Sequence, residues 1–212
     1  VFAVTPAPRR RARARGFTLI EAAVVLAIIG ILLAAGMPSM ANWLLARKAM
    51  AAAVFYQDGM ALARNTAIAH NAHSRLVLTP NAANGKMDWQ VDLCFSSPCT
   101  DVDGSWSTPT TYAAGDAKQG AQWYSVQRSA QGMPNAGALV QTLGPDGATA
   151  VYFTALGWVD TTVGPALASI DFKPAAGRAS AFRELMVKLP LGGIAAICDP
   201  NAAAHAANGC PP

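Results

Sequence analysis

Histidine and cysteine are scarce in this chain of 212 residues, with three of the first and four of the second. That scarcity restricts metal chemistry, and the arrangement restricts it further. Cys94 and Cys99 fall in "CFSSPC", Cys198 and Cys210 in "CDPNAAAHAANGC", and neither spacing is a zinc pattern. His205 is the one histidine near a cysteine. His70 and His73 lie at the expected end of a helix with no third ligand in view, and read as a solvated terminus. "TDVDGSW" sets Asp101, Asp103 and Gly104 as a calcium loop would begin, but the later ligands and closing glutamate are lacking, so a turn is expected. No phosphate loop, carboxylate pair or nucleophile with its base stands out. The expectation is no enzymatic activity and no cofactor.

Acid is missing from the first sixteen positions, which hold five of the sixteen basic residues: Arg9, Arg10, Arg11, Arg13 and Arg15. Removing those five from the formal charge of +4 leaves −1 for residues 17–212. The basic character therefore belongs to one short segment, and a nucleic-acid role for the body lacks its electrostatic footprint.

Polar side chains are absent from Ala22 to Met37. A helix over Phe17–Met37 would span about 30 Å, the thickness of a bilayer's hydrocarbon core. Arginines crowd its upstream side, and only Arg47 and Lys48 follow, so the N-terminus is expected in the cytoplasm and the body exported. Glu21 is the exception inside this segment, and an unpartnered carboxylate in lipid costs about 2.5–3.5 kcal/mol on insertion scales. Part of its role is local: "TLIE" places Thr18 and Glu21 as a capping box at the helix start. A cleaved secretory signal is the rival reading, with small residues at Ala34–Gly36 near its cut. Pro38 withholds an amide from the carbonyl of Ala34, so a break or loosening is expected there.

"RGFTLIEAAVVLAIIGILLAAGMP" resembles the prepilin signature of type IV pilins and type II secretion pseudopilins. The resemblance implies a basic leader over residues 1–16, cut by a prepilin peptidase between Gly16 and Phe17, and methylation of the new amino terminus at Phe17. It also implies a partner for Glu21, fifth in the trimmed chain: the terminal ammonium of an adjacent subunit, which lowers the cost of burial in low dielectric. The implied partners are other pilins or pseudopilins, the peptidase and inner-membrane lipid.

From Ser39 the helix is expected to continue to residue 72, with Met40, Trp43, Leu44, Ala51, Val54, Phe55, Leu62 and Ala69 as the packed face. Beyond it the period becomes two. "SRLVLTP", "MDWQVDLC", "AQWYSVQR", "TAVYFTALG", "ASIDFKP" and "FRELMVKLP" read as strands separated by turn-forming clusters. In "DWQVDLC", Trp89, Val91 and Leu93 share one face and Asp88, Gln90 and Asp92 the other, giving a sheet with one wet side. The fold class is α+β: a long N-terminal helix, membrane-spanning over 17–38 and amphipathic over 39–72, packed on an antiparallel sheet domain over 73–212. This is the pilin architecture. Trp89, Trp106, Trp123 and Trp158 are expected mainly in packing.

Four cysteines allow three connectivities, and the short loops favour Cys94 with Cys99 and Cys198 with Cys210. Such bonds point to the periplasm or cell exterior. Within the pilin-like proteins, "LARNTAIAHN", Phe153 and Gly157 in "VYFTALGWV", and Cys198, Asp199 and Pro200 closing "RELMVKLPLGGIAAICDP" resemble the GspH/FimT group. Some FimT-type pilins bind DNA through a Gly-Arg-x-Arg motif. The matching positions here are Gly193, Ile194, Ala195 and Ala196, both arginines are missing, and DNA is not an expected partner. The leading function is a structural filament subunit in the inner membrane. A filament-tip binding module, either adhesin or DNA-uptake receptor, and a soluble secreted protein are the alternatives.

Overall fold

The computed structural model describes residues 16–94, 99, 106–107, 125–203 and 206–211. Residues 1–15 of the expected leader over 1–16, together with Asp101, Asp103, Gly104, Trp123 and His205, lie outside them. Two compact units divide the chain, Val1–Met40 and Ala41–Pro212.

Helix α1 covers Leu19–His70. It does not break at Pro38. A proline removes one amide hydrogen bond, and here the helical turns on each side carry the backbone across the gap. The end comes instead at Asn71, whose φ of 48° is left-handed. Its amide bonds Ile68 O at 3.3 Å, and that of Ala72 bonds Ala67 O at 3.1 Å. Those two bonds form the Schellman cap, and asparagine tolerates the left-handed turn better than most residues.

Eight strands follow among the described residues: β1 His73–Pro80, β2 Met87–Cys94, β3 Ser125–Arg128, β4 Leu139–Gly144, β5 Ala150–Phe153, β6 Ser169–Pro174, β7 Leu185–Lys188 and β8 Ala196–Cys198. They build two four-stranded antiparallel sheets rather than one, ordered β3-β2-β1-β5 and β4-β6-β7-β8. The whole is α+β, one long helix with antiparallel sheets. β4 and β8 are the strands that sequence patterning misses: of "LVQTLG" only Leu139 is fully buried, while Val140 points outward, and β8 is three residues long.

The face of α1 that enters the core is opposite to the expected one. Ala49, Ala52, Ala53, Tyr56, Met60, Ala63 and Ala67 are buried, whereas Trp43, Leu44 and Val54 are exposed and Phe55 and Leu62 lie half-buried at the margin. Small side chains win because they let the helix approach both sheets closely. A Cβ on Gly59 would stand 2.9 Å from Leu76 Cδ1 and 3.0 Å from Trp89 Cε2. Leu76, Leu78, Trp89 and Val91 of one sheet and Leu139, Ile170, Phe172 and Val187 of the other share this single core with α1.

Most polar groups inside the core are paired, Gln141 Nε2 being the buried side-chain atom left without a partner among the described residues. Tyr56 donates its hydroxyl to Met87 O at 2.6 Å and accepts from Met87 N at 3.2 Å. Burial pushes the phenol up to about 12, against the pull of its bonds to Gln141 and Met87, so it remains a donor at ordinary pH. Lys86 is buried with its stem enclosed, and its ammonium donates to Leu139 O, joining the turn before β2 to β4 of the second sheet. Desolvation lowers its pKa. Asp92, assigned to the wet side of β2, is instead fully buried. Arg75 Nε bonds its Oδ2 at 3.0 Å, Gln90 and Ser125 donate to Oδ1, and the Arg75 guanidinium lies 4.5 Å from the Trp106 ring centre. A buried carboxylate survives there because it is paired and fully hydrogen-bonded.

Both local disulfides are formed, Cys94–Cys99 with Cα atoms 6.0 Å apart and Cys198–Cys210 with 4.9 Å. The first sits where β2 meets Trp106 and Tyr152. The second ties the chain after β8, where Asp199 N bonds Asn208 O at 2.8 Å, back onto that strand.

Tyr56→Phe strips the Met87 carbonyl of its hydroxyl donor, and urea unfolding of the soluble body is expected to show a loss of about 1–3 kcal/mol. Replacing Cys198 and Cys210 together by alanine should cost about 2–3 kcal/mol by the same measurement, the chain entropy released by opening an eleven-residue loop.

Candidate processing and assembly segment

Gly16, Phe17 and Thr18 are non-helical and exposed, immediately ahead of α1. No heavy atom lies within 4 Å of a Cβ built on Gly16. Among the described residues nothing crowds Gly16, and the Gly16–Phe17 bond precedes the first helical turn, the condition a protease needs to draw backbone into an extended cleft.

Thr18 starts the helix. Its carbonyl accepts from Ala22 N at 3.2 Å, and its Oγ1 accepts from Glu21 N at 3.3 Å. This is one half of the expected capping box, a side-chain oxygen satisfying an orphan amide of the first turn. Among the described residues, nothing bonds the Glu21 carboxylate, and the side chain is exposed. The acid is thus spare, one turn beyond the scissile bond, with the partial positive charge of the helix start beside it.

On both sides of Glu21 the large apolar side chains are uncovered among the described residues. Phe17, Leu19, Ile20, Leu26, Ile28, Ile31 and Leu32 are all exposed. α1 is the one helix among the described residues that is long and apolar enough to cross a membrane, with a mean hydropathy of 2.6 over its best 18-residue window. Such a surface is stable only against lipid or other apolar helices.

Residues 11–37 match the family described as the prokaryotic N-terminal methylation motif. No curated protein and no solved structure matches the chain. The match covers Gly16, Phe17 and Glu21 together, and with the α+β fold it supports a type IV pilin-like protein, one processed by prepilin peptidase and assembled with other pilins.

A second convergence lies in the body, where sequence reading gave only motif resemblance. Arg64 on α1 donates from Nε to Gly157 O at 3.1 Å. Gly157 takes φ of 79° and Gly193 takes φ of 76°, and a Cβ on either would strike its neighbours, Ile68 in the first case and Gly157 O in the second. Three resemblance positions, far apart in the chain, thereby form one joint between the helix end, the loop after β5 and the turn before β8. The signal available in the sequence was the glycines themselves. Of the other candidates, His73 stands 3.7 Å from Asp160, and His70 is exposed at the helix end. Trp89 and Trp106 are buried as expected, whereas Trp158 is not.

Thr18→Ala removes the cap, and hydrogen exchange in detergent micelles is expected to speed at Ile20–Ala22 by about fivefold, the equivalent of roughly 1 kcal/mol.

Proposed function

We propose that the chain is a minor pilin or pseudopilin of the GspH/FimT type. It is held single-pass in the bacterial inner membrane with its N-terminus cytoplasmic and its body periplasmic. Prepilin peptidase cuts between Gly16 and Phe17, Phe17 is methylated, and the subunit joins a type II secretion pseudopilus or a type IV pilus through α1. The observation that carries the reading is the methylation motif over residues 11–37, which spans the Gly16–Phe17 bond.

Glu21 sets assembly in this scheme. Alone in hydrocarbon it is costly, and beside the amine liberated on a neighbour's Phe17 it is not, so insertion into the filament is favoured only at one axial register. The body acts as a structural module. A DNA-uptake role finds little support, because Ile194, Ala195 and Ala196 put no cation where phosphate would be held.

Mass spectrometry of the chain recovered from its bacterium should find a mature form beginning at Phe17 with one added methyl group. A start near Met37 would support an ordinary secreted protein instead. Glu21→Ala subunits should be clipped normally yet recovered in sheared filaments at about a tenth of the parent level or less, matching the insertion penalty of a lost pair.

A further inference from the structure

A groove of about 290 Å³ opens in the body beside the stretch of α1 that follows Met40. The helix contributes Ala41, Leu44, Leu45 and Lys48, and the loops before β4 and after β6 bring Asn135 and Arg178. Positions 41, 44, 45 and 48 share one helix face, so the sequence sets three apolar side chains and then a cation along the groove. Leu45 is buried and Leu44 exposed. The loops are fixed. Arg178 N bonds Ala175 O at 3.0 Å, Ala181 N bonds Arg178 O at 2.8 Å, and Ala175 N bonds Ala138 O at 3.2 Å. Asn135 O accepts from Ala138 N and Leu139 N, both at 3.0 Å.

Charge restricts the occupant. Two cations line the groove and no described acid does. Among the described residues no carboxylate pairs with Lys48 or Arg178, and both side chains are exposed. A fitting ligand carries a negative group that two cations can hold, with an apolar part beside Leu44 and Leu45. A nucleic-acid strand meets the first requirement alone.

Position selects the amphiphile. Ala41 is three residues beyond Pro38, the end of the expected membrane-spanning segment, and so short a chain reaches at most about 11 Å. Covalent bonds alone hold the apolar end of the groove within reach of the bilayer surface. Trp43 is exposed, with the Arg47 guanidinium 5.5 Å from its ring centre. An exposed tryptophan beside the first cations after an apolar helix is the pattern of an anchor at headgroup level. Counted from the membrane segment, the groove offers apolar surface first and cation second. A phospholipid presents its acyl chains and its phosphate in that order.

We infer that this groove binds an anionic phospholipid of the leaflet from which the body emerges, its phosphate between Lys48 and Arg178 and its chains along Ala41, Leu44 and Leu45. The inference rests on the membrane-held reading above and names the lipid class that reading leaves open. Such a lipid belongs to the subunit before assembly, because a filament leaves the bilayer.

The test adds dioleoylphosphatidylglycerol or dioleoylphosphatidylcholine to the full chain in detergent micelles and counts lipid-bound chains by native mass spectrometry. The anionic lipid should be retained and the zwitterionic one lost. Lys48→Gln and Arg178→Gln should each cut retention by about fivefold, and together by about twentyfold or more, matching the attraction of single cations to an anionic leaflet. Arg183→Gln with Lys188→Gln removes the same charge elsewhere and should change retention by less than about twofold. Equal loss in the two double variants, or equal retention of the two lipids, overturns the groove. So does displacement, at equal concentration, by glycerol 3-phosphate, a DNA duplex or an acidic amphipathic peptide. A chain that resists carbonate extraction from its bacterium's membrane yet shows no preference for the anionic lipid loses the groove and keeps the membrane reading. A chain that carbonate extracts but that retains the lipid through Lys48 and Arg178 keeps the groove and overturns the membrane reading.

Discussion

The body of this protein depends on how closely α1 can lie against two sheets at once. A helix lined inward with leucine would hold the sheets off by the length of those side chains, and the interior would lose the dense packing that fixes one structure. Alanine at positions 49, 52, 53, 63 and 67, with Gly59 between, removes that spacer. Tyr56 and Met60 then fill what remains, and the Tyr56 hydroxyl finds Met87 in the first sheet and Gln141 in the second. The sheets are thus tied to the helix by apolar contact and to each other by a few enclosed hydrogen bonds.

The first part of α1 obeys the opposite rule. Among the described residues its large side chains are exposed and uncovered, which fits a segment whose solvent is hydrocarbon. A single helix therefore carries two packing codes, small residues toward protein and large ones toward hydrocarbon, with Glu21 as the polar point within the second. The same sequence would be unstable as a free soluble helix and is consistent only as something that waits for companions.

The N-terminal segment could be read from sequence because its constraint is written in consecutive residues: sixteen positions without a polar side chain, basic residues before them, and a glycine at the junction. β1, β2, β6 and β7 could be read because their alternation is strong. The packed side of α1 could not. Pattern rules weigh Trp43, Leu44 and Val54 above alanine, while the core selects for proximity, a property of the sheets that the helix sequence does not contain. Asp92 was misplaced for a similar reason: alternation puts it outward, and only the arrival of Arg75, Ser125 and Trp106 from distant segments closes over it. The exposure of Trp158 follows from the left-handed turns at Gly157 and Gly193, whose glycines mark a special backbone without saying where its neighbours point.

Lys86 has a practical consequence. Its ammonium is enclosed and engaged with Leu139, whereas Lys48, Lys173 and Lys188 reach the surface. Amine-directed dyes reach these three of the described lysines and leave the enclosed one untouched, so labelling the protein need not loosen the seam between its sheets.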